Sequence, residues 1–218
     1  MDRIPLERKV LSENDRLAAR LRERFSEHGI LCVNFISSPG SGKTSLLERT
    51  LERFPKEARV AVLTGDIQTD NDARRLARFG FPAKQITTAG ACHLDARMVE
   101  RALAEWRLEN LDLLIIENVG NLVCPSSYDL GEGIRVALLS VTEGEDKPLK
   151  YPTLFNSADA AVITKMDIAE PCGFDRDLAL KNINEIRPGI RIFETSAKTG
   201  AGMDDWLRYL EDEQTKKR

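Results

Sequence analysis

Ile30-Leu-Cys-Val-Asn-Phe-Ile36 is followed directly by Ser37-Ser-Pro-Gly-Ser-Gly-Lys-Thr44, and this junction decides the fold. The first run is apolar enough for a buried strand, and the second has the residue types of a phosphate-binding loop. Such a loop holds phosphate oxygens with its backbone N–H groups. Its lysine reaches the β- and γ-phosphates, and its threonine binds Mg²⁺. A helix beginning at Lys43 would add its positive N-terminal end, so the junction predicts a nucleoside-triphosphate site.

One residue of the loop departs from the usual pattern, because Ser37 stands where the first glycine is expected. The alternative interpretation is a Gly/Ser turn between a strand and a helix with no ligand. The order strand, loop, Gly-Lys-Thr and helix favours the phosphate loop, since the chemistry requires that order. The nucleotide-binding residues predicted here are Pro39, Gly40, Ser41, Gly42, Lys43, Thr44 and Ser45.

Composition limits the class of protein. The 218 residues are 42% hydrophobic and 31% charged, as in an ordinary globular chain with a substantial core. A formal net charge of −3 gives no electrostatic reason to expect nucleic acid or an anionic membrane as a partner. The charged N-terminus lacks a signal-peptide core, and no apolar run approaches the ~20 residues of a membrane helix. We therefore expect a cytoplasmic protein whose four cysteines are buried, metal-binding or catalytic.

Apolar runs alternate with amphipathic segments along the chain, which predicts an α/β fold of the P-loop NTPase class. We expect a mostly parallel central sheet with helices on both faces and ligands at the carboxyl ends of the strands. An added helix at 7–28 suggests an N-terminal helical extension, residues 1–28, before a single GTPase domain, residues 29–218. Strands are predicted at 30–36, 58–63, 85–88, 111–116, 134–141, 160–164 and 191–194, and helices at 43–53, 93–107, 175–187 and 202–211, with one more ending at 78 after a polar loop at 64–72.

Two further motifs indicate which base is bound. Thr164-Lys-Met-Asp167 follows an apolar strand and is similar to the Asn-Lys-x-Asp guanine motif, with Thr in place of Asn. The Asp167 carboxylate can accept from both guanine N1–H and N2–H₂, and the stem of Lys165 would lie over the base. After the last strand, Thr195-Ser-Ala-Lys-Thr-Gly200 is similar to the loop that contacts the guanine O6 atom. The motifs together favour GTP over ATP and predict contacts from Lys165, Asp167, Ser196, Ala197 and Lys198.

Acidic residues are the candidates for Mg²⁺ binding and catalysis. Glu117-Asn-Val-Gly120 follows a buried strand and places Gly120 near the γ-phosphate. Glu117 replaces the usual Asp and would hold Mg²⁺ through water or orient the attacking water. Asp66, at the end of the second strand, is our first choice to complete a shell with Thr44 and Glu117.

Two other carboxylates, Asp70 and Asp72, remain alternatives to Asp66, although N-capping of the next helix explains them equally well. The predicted catalytic residues are Lys43, Asp66 and Glu117. Since no obvious counterpart of a catalytic glutamine is visible, we expect slow intrinsic hydrolysis.

Cys92, His93 and Cys124 form a possible metal site. Thiolate and imidazole ligands suit Zn²⁺ and Ni²⁺, and a loop–helix junction lets adjacent residues face one ion. The alternative is two buried cysteines and a helix-capping histidine. Water, Asp95 or a second subunit would have to complete the coordination. Because Cys124 follows Glu117 by seven residues, nucleotide state and metal affinity could be linked.

Four segments together resemble one family, the nickel-incorporation GTPases of hydrogenase maturation (HypB). They are 37–44, Ala-Cys-His-Leu-Asp at 91–95, Glu-Asn-Val-Gly-Asn-Leu-Val-Cys-Pro at 117–125 and Glu-Gly-Glu-Asp-Lys-Pro-Leu-Lys-Tyr-Pro at 143–152. Asn14-Asp-Arg-Leu-Ala18 also looks like this family. The resemblance covers nearly the whole chain. It assigns the metal site to Cys92, His93 and Cys124 and base recognition to Lys165 and Asp167.

The resemblance implies a GTP-dependent metallochaperone that dimerises on binding GTP or metal. It would insert nickel into the large-subunit precursor of a [NiFe] hydrogenase, with a HypA-type accessory protein as partner. Some members carry an N-terminal Cys-x-x-Cys-type nickel site or a His-rich stretch. This chain has neither and contains two histidines, His28 and His93, so we expect nickel delivery without storage.

Two other functions remain open at this point. An ATP-dependent small-molecule kinase would account for Ser37 and Thr164 but not for Asp167. A regulatory GTPase with structural zinc would bind metal with no dependence on nucleotide. The pattern leaves open the choice of Ni²⁺ or Zn²⁺, the geometry of the dimer, whether hydrolysis loads or releases metal, and which hydrogenase is served.

Overall fold

The structure, a computed structural model, describes residues 6–66 and 70–217. Residues 1–5 of the predicted N-terminal extension and 67–69 of the predicted polar loop lie outside the described residues. The strands are β1 (Leu31–Ile36), β2 (Val60–Asp66), β3 (Ala83–Thr87), β4 (Leu113–Glu117), β5 (Ile134–Ser140), β6 (Ala160–Thr164) and β7 (Arg191–Glu194). The helices are α1 (Leu6–Glu27), α2 (Lys43–Arg53), α3 (Asn71–Ala77), α4 (Ala96–Leu103), α5 (Lys147–Lys150), α6 (Pro152–Ser157), α7 (Arg176–Ile186) and α8 (Met203–Thr215).

One seven-stranded sheet, in the order β3-β2-β4-β1-β5-β6-β7, organises the molecule, and every neighbouring pair is parallel. The predicted α/β fold is therefore confirmed. β1 lies in the middle of the sheet between β4 and β5, so the strand order reverses beside it. In open parallel sheets, ligands bind at the carboxyl ends of the strands at such a reversal. The fold thus places the loop after β1 where a ligand is expected.

Helices cover both faces of the sheet, as predicted. Alternate residues of β1 enter different cores: Leu31, Val33 and Phe35 pack with α2, α3 and α8. On the other face Cys32 packs with α1 and α4, and Ile36 packs with α6 and α7. This alternation follows from the two-residue period of a strand, and burial on both faces explains why a mostly apolar run, with Asn34 as its polar residue, forms a central strand. Among the described helices, none combines the length and hydropathy that crossing a membrane requires.

Several element boundaries differ from the prediction. The helix predicted at 93–107 begins at Ala96, because the Asp95 side chain caps it by accepting from the Met98 N–H at 2.7 Å. β2 continues to Asp66, which pairs in register with Thr87 of β3. The short helices α5 and α6 were not predicted. Each has a proline at one of its first two positions, where proline is well tolerated. The Cys92–Asp95 segment therefore precedes the helix as a turn. Its side chains are not held at the spacing of a helix, so adjacent residues can face the same point.

Candidate nucleotide and metal sites

The phosphate loop connects β1 to α2 and turns through left-handed backbone at Gly40 (φ 72°) and Gly42 (φ 94°). A side chain would strain the backbone at both positions. Lys43 is buried, and its Nζ donates to the Ser37 Oγ atom at 2.8 Å. Ser41 also donates to that hydroxyl oxygen. Ser37 therefore anchors the lysine, which gives its departure from glycine a structural role. Burial lowers the pKa of Lys43, so an anion beside it would stabilise the charged form.

Glu117, the last residue of β4, lies beside the phosphate loop. The Thr44 hydroxyl donates to its Oε1 atom at 2.7 Å. Glu117 is 4% exposed, and its Oε2 atom has no hydrogen-bond partner among the described residues. Burial raises the pKa of Glu117 to about 7, against the opposing effects of the Thr44 hydrogen bond and the Lys43 charge. A buried carboxylate oxygen beside a threonine hydroxyl fits a hard divalent cation such as Mg²⁺.

A cavity of about 440 Å³ brings together the predicted triphosphate residues. It is lined by the loop from Pro39 to Ser45 and by Asp66, Asp72, Glu117 and Gly120. A Cβ atom on Gly120 would lie 3.0 Å from Pro39 Cγ, so only glycine lets this segment approach the loop so closely. Asp70 is paired with Arg74 at 2.8 Å and does not line the cavity. Asp66 and Asp72 remain the candidates to complete the Mg²⁺ shell.

Of the predicted base-recognition residues, all but Ser196 line a second cavity, of about 640 Å³, next to the loop. Lys165 has left-handed backbone (φ 61°), and its Nζ donates to the Gly40 carbonyl at 2.7 Å. The Thr164 hydroxyl donates to the Ser41 carbonyl at 2.6 Å, which explains why a hydroxyl residue serves in the Asn position. The Ser196 hydroxyl donates to Asp167 Oδ1 at 2.6 Å and orients that carboxylate toward the cavity. Ala197 and Lys198 also line this cavity.

Arg49 is a residue of this site that sequence reasoning missed. It lies on α2, and its Nε donates to the Ala197 carbonyl at 2.6 Å. Its Nη2 donates to the Lys198 carbonyl at 3.3 Å. Arg49 thus links the helix that follows the phosphate loop to the loop predicted to contact the base. A single arginine outside any motif gives no signal from which this contact could be predicted.

Replacing Arg49 by Met is expected to weaken guanine-nucleotide binding about 10-fold, because two hydrogen bonds that hold the base loop are lost. The measurement is the Kd of fluorescently labelled GDP. Arg53→Met is the matched control, since Arg53 lies on the same helix and pairs with Asp204 outside the cavity. An unchanged Kd in Arg49→Met would show that the base loop does not depend on this link.

Cys92, His93 and Cys124 come together as the sequence predicts. The two Sγ atoms lie 2.9 Å apart, and Cys92 Sγ lies 3.8 Å from His93 Nδ1. One donor atom from each residue fits within 4.8 Å, and the described parts of the chain contain no second cluster of this kind. Two thiolates at about 2.3 Å from one tetrahedral ion lie about 3.8 Å apart, so the two Sγ atoms, now 2.9 Å apart, would move apart by about 0.9 Å to hold an ion.

The surroundings of the trio favour metal binding. The His93 ring stacks on Tyr128 with centroids 3.8 Å apart, which fixes the orientation of the imidazole. Burial lowers the pKa of His93 and so favours the neutral ring that metals bind. Asp95, the possible fourth ligand, caps α4 and does not belong to the cluster. Cys32 is buried in β1, Cys172 is exposed, and neither belongs to the cluster.

Two asparagines connect the turn that carries Cys92 and His93 to the segment that begins at Glu117. Asn118 is 1% exposed, and its Oδ1 accepts from the Leu94 N–H at 3.2 Å and from the Val119 N–H at 2.9 Å. Asn121 Nδ2 donates to the Cys92 carbonyl at 3.4 Å. Sequence reasoning missed both contacts. The turn carrying Cys92 and His93 is therefore hydrogen-bonded to the chain that runs from Glu117 to Cys124.

A parallel sheet with a phosphate loop at its central reversal and a base cavity beside it defines a P-loop nucleotide-binding protein. Residues 32–194 match the family described as CobW/HypB/UreG, nucleotide-binding domain. The hydrogenase maturation factor HypB of Azotobacter vinelandii is 50% identical over 208 residues, covering 94% of this chain and 68% of that protein. The factor of the same name from Escherichia coli K12 is 49% identical over 208 residues, covering 95% of this chain and 72% of that protein.

The crystal structure of HypB from Helicobacter pylori in complex with nickel superposes with a TM-score of 0.88. It is 46% identical to this chain, and the match covers 94% of this chain and 96% of that one. The chain belongs to the HypB family of hydrogenase maturation factors.

Proposed function

We propose that this chain is a GTP-hydrolysing metallochaperone that inserts nickel into the large-subunit precursor of a [NiFe] hydrogenase during maturation. One observation carries the proposal. The segment 117–124 begins at the Glu117 carboxylate, which is hydrogen-bonded to the Thr44 hydroxyl, and ends at Cys124, whose Sγ lies 2.9 Å from Cys92 Sγ. The triphosphate end and the metal trio therefore share one stretch of chain. The relative of known structure from Helicobacter pylori is described in complex with nickel, which supports nickel as the metal delivered.

GTP is the nucleotide that this chain's own residues favour. Asp167 presents a carboxylate oriented by Ser196, and guanine offers the two donors that it can accept. Lys43 would hold the β- and γ-phosphates, and Thr44 with Glu117 and Asp66 would hold Mg²⁺. The bound ion would supply charge neutralisation at the β- and γ-oxygens. Glu117 is also placed to orient the attacking water, and we expect a slow intrinsic rate.

Coupling between nucleotide and metal follows from the shared segment. Gly120 packs against Pro39 of the phosphate loop, so a γ-phosphate arriving there would shift the chain around it. Asn118 would pass such a shift to Leu94, next to His93, and Cys124 would move with its own segment. Because linkage is reciprocal, bound metal would change nucleotide affinity by the same factor. Loading and release of nickel could therefore be timed by the nucleotide.

The partners follow from this role. We propose a homodimer promoted by GTP or metal, which would also complete the three-donor metal site. A HypA-type accessory protein and the hydrogenase large-subunit precursor are the proposed protein partners, in the cytoplasm, with no nucleic acid or membrane involved. Residues 29–218 would form the GTPase domain, with residues 1–28 as its N-terminal helical extension.

Nickel transfer in a purified system tests the function. The nickel-loaded chain is mixed with a HypA-type accessory protein and the large-subunit precursor, with GTP or with GDP, and nickel in the precursor is measured. We expect transfer with GTP that exceeds transfer with GDP and that is lost in Lys43→Ala, since nucleotide binding depends on Lys43. Lys181→Ala, an exposed lysine on α7, is the control. Equal transfer with GTP, with GDP and in Lys43→Ala would contradict the proposal.

A further inference from the structure

Asn14 lies in α1, the helix that precedes the nucleotide-binding core, and it is 5% exposed. Both ends of its side-chain amide are engaged. The Oδ1 atom accepts from the Ala96 N–H at 2.9 Å, and Nδ2 donates to the Asp129 carbonyl at 2.8 Å. The side chain therefore joins two backbone positions that are far apart in the sequence.

Those two positions belong to the two segments that carry the metal trio. Ala96 follows His93 by three residues and opens α4. Asp129 follows Cys124 by five residues and is next to Tyr128, whose ring stacks on His93. One buried amide thus bridges the chain just after Cys92 and His93 to the chain just after Cys124. The separation of the thiol and imidazole donors depends on these two segments.

Other contacts between α1 and the chain that follows Cys124 keep Asn14 in place. Arg22 pairs with the Asp129 carboxylate at 2.6 Å. Gly131 is packed so tightly that a Cβ atom there would lie 2.8 Å from the Ala18 carbonyl oxygen. Helix α1 therefore lies directly against the chain that follows Cys124. Asn14 also reaches α4, and the Glu13–Arg97 ion pair joins the same two helices.

Only a side chain with both a donor and an acceptor can make this bridge. Leucine of similar size would leave the buried Ala96 N–H and the partly buried Asp129 C=O without these partners, which is costly. Aspartate would keep the acceptor for Ala96 but would turn a second oxygen toward the Asp129 carbonyl. The two substitutions therefore remove the bridge wholly or in part without a large change in volume.

We propose that Asn14 is a positioning residue for the metal site, which fixes the spacing between the Cys92-His93 turn and the Cys124 turn before the ion binds. The inference rests on the proposed nickel-binding function of the trio. Outer residues that orient metal ligands commonly change metal affinity by about 10–100-fold when they are substituted. Through Asn14, the N-terminal helix becomes part of the metal site even though it supplies no ligand.

The test is Ni²⁺ titration of the full chain and its variants without nucleotide, followed by the thiolate-to-nickel absorption band. Asn14→Leu is expected to bind Ni²⁺ about 10-fold or more weakly with a shifted band, while the Kd for labelled GDP stays within about 2-fold. Asn14→Asp is expected to lie between Asn14→Leu and the unsubstituted chain. Phe25→Leu, a buried substitution about three turns further along α1, is the control for lost stability alone and should leave Ni²⁺ affinity unchanged.

Two outcomes would overturn the inference. If both Asn14 variants bind Ni²⁺ as tightly as the unsubstituted chain, or if Phe25→Leu weakens Ni²⁺ binding as much as Asn14→Leu does, Asn14 has only a structural role. Failure of the proposed function looks different. In that case the unsubstituted chain binds no Ni²⁺, or Cys124→Ala binds it equally well, whatever Asn14 does.

Discussion

Replacing Asp167 by Asn is expected to change the preferred nucleotide from GTP to xanthosine triphosphate. In the proposed base site the Asp167 carboxylate would accept from guanine N1–H and N2–H₂, whereas an amide at this position would donate to the O2 atom that xanthine carries instead. A site built on such hydrogen bonds rejects the base that leaves them unmade, so the affinity for GTP should fall at least about 100-fold. The measurement is the Kd for each triphosphate, including ATP.

The control for this exchange is Asp177→Asn. Asp177 is an exposed carboxylate on α7 outside the base cavity, so its substitution should leave all three affinities unchanged. Retained GTP binding in Asp167→Asn, or a preference for ATP in the unsubstituted chain, would contradict guanine recognition at this position. The latter result would support the kinase alternative.

Replacing Cys124 by Ala is expected to lower the affinity for Ni²⁺ at least about 100-fold, because one of the three proposed protein ligands is removed. Loss of an outer residue alone commonly costs about 10–100-fold. Cys92→Ala should have a similar effect, since the two Sγ atoms lie 2.9 Å apart in the same cluster. The measurement is calorimetric titration with Ni²⁺ under reducing conditions.

The matched control is Cys172→Ala, because Cys172 is an exposed thiol that lies outside the cluster. It should bind Ni²⁺ as the unsubstituted chain does. Equal losses in Cys172→Ala and Cys124→Ala would indicate nonspecific thiol binding. Unchanged affinity in Cys124→Ala would show that the trio is not the nickel site.

Local sequence was enough to predict the elements of the fold that have strong local signals. The strand–loop–helix at 30–53 was predicted because the apolar run, the glycine spacing and the Gly-Lys-Thr order all lie within one short stretch. Among the described residues, all seven strands were predicted. β1, β2, β4, β5 and β6 are buried along most of their length and stand out as apolar runs, whereas the edge strands β3 and β7 are only partly buried. Helices α5 and α6 were missed because four and six residues are too few to show a helical period.

Contacts of the site between residues that are far apart in the sequence could not be predicted in the same way. Arg49 reaches Ala197 across 148 positions, and Asn14 reaches Asp129 across 115. Neither residue stands in a pattern that requires a particular partner, so only the tertiary packing reveals what each contacts. Asn118 lies inside a motif, yet its hydrogen bond to Leu94 depends on how the two loops meet above the sheet. Motif residues were predictable, whereas the residues that connect motifs were not.

We propose that nucleotide and metal are linked through the segment 117–124. The most direct test is the Kd of Ni²⁺ for the purified chain with GDP and with a non-hydrolysable GTP analogue, with the oligomeric state followed in parallel. We expect Kd values that differ by about 5–150-fold, with the difference lost in Cys124→Ala. Equal Kd values in the two nucleotide states would contradict this linkage, and would leave a GTPase with a static structural metal.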